Sequence, residues 1–219
     1  MNAPQLGIDH EDLGFDILPA VEKSFGISFT QNDFHENFTY GELHALICTK
    51  LPTAVASDCT TQQAFYKLRQ SLRPLVGEAE IRPNTLLANL LPVGRREAAA
   101  HLHTELDIDL ALISMPTWAV LVGSFLILAS LVLFFFNGLL ALAGLGLAVM
   151  GLDAARHLNK QFNYQTVREV VEQMSSHYYR QSRRNPDTVN PQEVASRLAR
   201  IFIEMAGLEA SELVPNAIL

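Results

Sequence analysis

The sequence predicts an all-α protein in which small helical-bundle modules flank an apolar helical hairpin. Three observations predict it. A run without any charged residue separates Asp109 from Asp153. Apolar residues at helical spacing recur on both sides of that run. The two flanks also share a pattern that closes on nearly the same phrase, "EIRPNTLL" at 80–87 and "ELVPNAIL" at 212–219.

The apolar run explains the positive mean hydropathy of a 219-residue chain that is 49% hydrophobic. "TWAVLVGSFLILASLVLFFF" (Thr117 to Phe136) holds twenty uncharged residues, about 30 Å as a helix, which is the thickness of a bilayer core. Asn137-Gly138 is a turn dipeptide, and Leu139 to Leu152 form a second apolar stretch of about 21 Å. Ala154 and Ala155 would lengthen it, with Arg156 reaching toward headgroups. Trp118 stands where an interfacial anchor is expected. Gly144, Gly146 and Gly151 suit close helix packing. The sequence predicts a two-helix transmembrane hairpin. A single crossing, a re-entrant hairpin and a buried soluble hairpin are the competing readings.

Charge is unevenly spread within a net −7. Residues 1–50 hold eight acids against Lys23 and Lys50, whereas residues 153–200 hold eight bases against five acids. These are expected to be solvated helix faces beside a membrane segment. No basic stripe with interleaved aromatics points to nucleic acid. Arg95, Arg96, Arg156, Lys160 and Arg168 flank the hairpin and its turn is uncharged, which predicts both flanks on the cytoplasmic side. Met1 to Asp12 has neither a basic nor an apolar leader pattern, and Cys48 and Cys59 make no disulfide framework. The expected location is a bacterial inner membrane, multi-pass, with both termini cytoplasmic. The expected division is 1–110, a helical region; 111–155, the hairpin; and 156–219, a second helical region.

Each flank opens on a capping box: Thr39 with Glu42, and Thr166 with Glu169. Leu43, Leu46 and Ile47 follow in one, and Val167, Val170, Val171 and Met174 in the other. A polar linker leads to a second amphipathic helix in each. Its stripe is Phe65, Leu68, Leu72 and Leu75 before Gly77, or Val194, Leu198, Ile201, Phe202 and Met205 before Gly207. Glycine there is the expected C-cap.

The helix, glycine, acidic turn and Pro-Asn phrase resemble the first helix and loop of acyl carrier proteins. Asp16 to Leu51 resembles the later part of the same fold. Within it "VEKSFGISF" is similar to the end of the second helix and "FTYGELHALI" to the fourth. The layout as a whole resembles an uncharacterised group of bacterial membrane proteins. A carrier presents its phosphopantetheine serine in Asp-Ser-Leu, and this sequence has no Asp-Ser dipeptide. The equivalent position falls near Glu11, so no cofactor is expected, and Ser24 and Ser28 read as helix-end residues. The resemblance implies that the final helix, Gln192–Ala206, packs against the N-terminal helices as their missing first helix. It also implies a non-enzymatic, membrane-anchored interaction module that docks a protein partner through acids of the second-helix type: Glu11, Asp12, Asp16 and Glu22. The bilayer is the other expected partner, and a second copy of the chain a further one.

Two alternatives remain open. "HLHTELDID" places His101, His103, Glu105, Asp107 and Asp109 on one face if it is a strand, good chemistry for zinc or manganese in a membrane enzyme subunit. The preceding alanine run instead predicts a helix to about Leu106, making the stretch a solvated polar face. The other alternative is an assembly or immunity protein whose hairpin makes the contacts. Cys59 is expected in the first turn of a helix capped by Ser57 or Asp58. "HYYR" (His177 to Arg180) reads as a membrane-facing or partner-facing cluster, or as a helix end.

Overall fold

The computed structural model describes residues 4–91, 94–113, 117–135, 138–158 and 162–219. It is mostly helical. α1 (His10–Asp12), a π-helical turn (Leu13–Ile17) and α2 (Leu18–Phe25) run end to end, followed by α3 (Tyr40–Lys50), α4 (Thr60–Val76), α5 (Leu87–Leu90) and α6 (Arg95–Leu106). α7 (Thr117–Phe134) and α8 (Gly138–Leu158) form the hairpin. α9 (Val167–His177), α10 (Tyr179–Ser182) and α11 (Pro191–Ala206) complete the chain. The linkers after α3 and α10 pair as short parallel strands, β1 (Ala54–Val55) with β2 (Thr188–Val189).

Two hydrophobic cores result, and each draws on both flanks of the hairpin. α4, α6 and α9 enclose Leu68, Leu72, Leu102, Val170 and Met174, with Ile81, Leu87 and Leu90 closing over them. α2, α3 and α11 enclose Val21, Phe25, Leu43, Ile47, Leu198 and Phe202. The final helix therefore shares a core with the N-terminal helices. Leu75 and Met205, expected in the stripes, are exposed. Each lies near the C-terminal end of its helix, in the last turn of α4 and beside the end of α11, where the helix has run past its core.

The repeated phrase has a specific use at the start of a helix. The first amides of any helix lack intrahelical acceptors. At α3, Tyr40 N–H donates to Ala217 C=O (2.8 Å) and Gly41 N–H to Pro215 C=O (2.8 Å). The Glu42 amide is taken by Thr39 Oγ1, and the Glu42 carboxylate returns to the Thr39 amide. At α9, Val167 N–H donates to Thr85 C=O (3.0 Å) and Arg168 N–H to Pro83 C=O (2.7 Å). Thr166 Oγ1 takes the Glu169 amide, while the Glu169 carboxylate accepts the Gln165 amide and the Thr166 hydroxyl rather than the Thr166 amide. Even the closing leucines match, Leu219 N–H to Phe38 C=O and Leu87 N–H to Gln165 C=O. Each Pro-Asn phrase is thus the cap of the helix that completes its core. The approach at α3 is close, since a Cβ on Gly41 would stand 2.6 Å from Pro215 O. Gly41→Val is expected to cost roughly 1–3 kcal/mol by overpacking, read as a lowered denaturant midpoint.

α10 and the two linkers join the cores. Arg183 is only 1% exposed. Its guanidinium donates to Ala56 C=O, Asp58 C=O, Thr60 Oγ1, Tyr179 Oη and Thr188 Oγ1. Asn190 donates its backbone amide to Tyr179 Oη and its side-chain amide to Ser57 and Asp58 carbonyls. Tyr178 and Tyr179, which the sequence left as candidates for an exposed cluster, are buried. Tyr178 Oη donates to Asp109 C=O and accepts from Lys23, and Tyr179 packs on Phe25 with ring centroids 5.3 Å apart. Ser24 is also buried, donating to Ser176 C=O across α2 and α9.

Between α9 and α11, Glu204 bonds both His177 (2.7 Å) and Arg200 (2.7 Å), and Arg200 also meets Glu172 (3.0 Å). The His177 hydrogen bond, followed by that from Arg200, holds the Glu204 carboxyl below its ordinary range. A depressed carboxyl adds stability above its unfolded value and loses it as pH falls through the folded one. Wild type is therefore expected to melt above Glu204→Gln at neutral pH, with the gap closing as pH drops below about 4.5.

In the hairpin α7 and α8 run antiparallel and tightly packed. A Cβ on Gly123 would meet Leu152 at 2.5 Å, and one on Gly144 would meet Ser130 Oγ at 2.5 Å. Ala119 and Ala148 are buried in the same seam. Gly146 and Gly151, expected in that contact, have open space instead. Phe136, Asn137 and Lys160 lie outside the described residues. α8 is longer than the sequence suggested, twenty-one residues from Gly138 through Leu158. α7 has eighteen. Among the described residues, no helix is long and apolar enough to cross a membrane. At the base of the hairpin Ile113 pairs antiparallel with Phe162, and Asn163 N–H donates to Leu112 C=O (2.9 Å).

Candidate docking face

The acidic front segment begins with a local cap: the Asp9 carboxylate accepts the Glu11 amide and starts α1. The helix then widens. Leu18 N–H reaches back five residues to Leu13 C=O, a π-type bond. Pro19 explains the widening, because in a regular helix its ring would clash with the Phe15 carbonyl four residues earlier, and it has no N–H to offer. The π turn accommodates that carbonyl and rotates the residues before it. Phe15 is left 80% exposed, the largest exposure of any apolar side chain outside the hairpin among those described.

Glu11, Asp12 and Asp16 are exposed beside Phe15. No ion pair joins any of the three to a base among the described residues, and the nearby Lys23 is engaged by the Tyr178 ring and hydroxyl. Glu22 does not belong with them. Its carboxylate accepts the Phe29 amide and its carbonyl accepts Gly26 and Ile27 amides, so it fastens the chain leaving α2. Three of the four expected partner contacts are thus together and accessible, while the fourth has an internal task. Sequence reading missed Phe15. The signal was Pro19, four residues downstream.

On the other side of the same turn lies a cavity of about 520 Å³. Leu13, Leu18, Phe34, Phe38 and Ile218 give it apolar walls, and His10 and His35 stand at its rim. His35 is held raised above the ordinary histidine range, first by its hydrogen bond with Glu36 C=O and then by Glu42. The acidic front segment and the capping tail meet along this groove.

The residues weighed for metal do not come together. α6 stays helical through Leu106, and Asp107 ends it in the left-handed region at φ 52°. The shared face that a strand would create therefore does not form. His101 is partly buried and His103 exposed, with buried Leu102 between them. Among the described residues no three His, Cys, Asp or Glu side chains group for a metal ion. Cys59 is itself the N-cap residue of α4, without a side-chain cap. Neither Ser57 nor Asp58 caps the helix; Glu193 of α11 reaches across to take the Thr60 amide. Cys59 borders a second cavity of about 350 Å³ with Phe65, Pro83, Arg168 and Val171.

Comparisons with protein-family models, characterised proteins and solved structures return no match. The site's chemistry is read from this chain alone.

Proposed function

We propose that the chain is a membrane-anchored docking module. The hairpin enters a bilayer, and the two cores present the Glu11, Asp12, Phe15 and Asp16 face to a partner protein with a basic, apolar-centred surface. One observation carries the reading. The hairpin turns Leu121, Phe125, Leu128, Leu142 and Leu147 outward, Phe125 at 70% exposure, while the cores bury their apolar stripes. Contiguous apolar surface of this kind marks an interaction with lipid or protein. No charge interrupts residues 110–152. The eighteen described residues of α7 make about 27 Å, short of the usual crossing, yet the sequence continues apolar to Phe136, and a bilayer thins to meet a short span. The base pairing of Ile113 with Phe162 supports entry and exit on one side, as expected for a bacterial inner membrane with both flanks cytoplasmic.

The docking half of the reading draws support from the order of elements in each core: a long helix, a loop ending in Pro-Asn, a second helix and a capped last helix. That order is carrier-like, and acids with a central aromatic suit a basic partner. Alkaline extraction of membranes tests the anchor. The full chain is expected in the pellet, and its release into the supernatant would sink the anchoring claim. Combined Glu11→Lys, Asp12→Lys and Asp16→Lys substitutions test the face. They are expected to abolish co-purification of a partner while leaving the thermal midpoint within about 1–2 °C, as surface changes do.

A further inference from the structure

We infer that Arg95, at the base of the hairpin, binds the phosphate of an anionic membrane lipid. The inference rests on the anchoring reading above and adds a lipid class and a site to it.

Arg95 opens α6, and its guanidinium lies over the Phe162 ring, 4.8 Å from the centroid. Its Nε donates to Leu91 C=O at 3.1 Å. Among the described residues no acceptor meets Nη1 or Nη2. Phe162 is the residue that pairs with Ile113 where the chain enters and leaves the hairpin. Asn163 reinforces that junction through its side chain to Ala111 C=O. The stacked guanidinium therefore stands where headgroups would surround an inserted hairpin.

Stacking does two things for such a site. It removes one face of the guanidinium from water and fixes a side chain that would otherwise lose rotamer freedom on binding. It also leaves the planar edge free, and that edge matches two oxygens of a phosphate. Glu97 on the same helix is about 200° around the axis from Arg95, so it does not occupy the edge. The guanidinium's single positive charge favours an acidic lipid over a zwitterionic one, whose own ammonium offsets its phosphate.

The test uses the full chain in neutral detergent, offered equal amounts of phosphatidylglycerol and phosphatidylcholine, with retained lipid counted by native mass spectrometry. Wild type is expected to favour phosphatidylglycerol about fivefold, the effect of one well-placed basic group near an anionic surface. Arg95→Gln is expected to bring the ratio near one, and Phe162→Leu to lower it part of the way while charge is kept. Arg184→Gln, an exposed base on the distant linker, is expected to leave it unchanged. The inference is overturned if Arg95→Gln keeps the preference or Arg184→Gln loses it. Displacement of the lipid by an equal concentration of glycerol 3-phosphate would also overturn it, since the site would then serve a free phosphate. A chain that stays monodisperse without detergent contradicts the anchoring reading itself. A detergent-requiring chain that binds both lipids alike overturns this inference alone.

Discussion

Arg183→Met is expected to lower global stability by about 3–4 kcal/mol, the largest polar effect in the molecule. The guanidinium is enclosed, and its acceptors are two backbone carbonyls and three hydroxyls rather than a carboxylate. Methionine fills much of the volume but donates nothing. The Ala56 carbonyl and the Thr60 hydroxyl would then lose their guanidinium donor, each at roughly 1–3 kcal/mol before relaxation, while the Asp58 carbonyl keeps the Asn190 amide. Arg183→Lys is expected to recover only part of the loss, because one ammonium cannot span acceptors on both linkers. For a chain of this size the methionine variant should melt roughly 10 °C lower. The loss should appear in both cores, since the linkers carrying β1 and β2 pass between them. A change below about 1 kcal/mol would mean that water replaces the arginine.

Phe202→Ala is expected to cost about 3–5 kcal/mol, the range for a fully buried phenylalanine. Phe202 is 0% exposed and meets Tyr40 edge to face at 5.4 Å. The cavity would open between α11 and α3, elements on opposite sides of the hairpin in sequence. Limited proteolysis should then cut the N-terminal segment and the C-terminal tail at the same protease concentration, while α4, α6 and α9 remain protected. Cleavage of the tail alone would show that the two ends do not form one core.

Much of the secondary structure was legible because its signals are local. Thr39, Thr166, Gly77 and Gly207 mark helix ends that the structure reproduces. The two Pro-Asn phrases were recognisable as a repeat, although their role as caps for α3 and α9 depends on contacts across the fold. The buried arginine was illegible, since three of its five acceptors lie more than 120 residues away and all five are backbone or hydroxyl oxygens. The "HYYR" stretch is the helix end that was one of its two readings, but the burial of its tyrosines was illegible for the same reason: the neighbours that bury them come from α2 and the segment after α6.

The proposed docking face was half legible. Its acids stand out in a segment with few bases, and Glu11, Asp12 and Asp16 are exposed. Glu22 looks the same in sequence, and only the loop after α2 shows that its carboxylate is committed. Phe15 required reading Pro19 as a distortion of the helix before it.

A photo-crosslinking residue placed at position 15, in the full chain within native membranes, tests the central claim most directly. A second at Val55, also well exposed but on the opposite linker, serves as reference. Position 15 is expected to yield a discrete protein adduct in the membrane fraction that position 55 does not give. Asp12→Lys with Asp16→Lys should abolish it. Identical adducts from both positions, or an adduct indifferent to the charge reversal, would contradict the docking face.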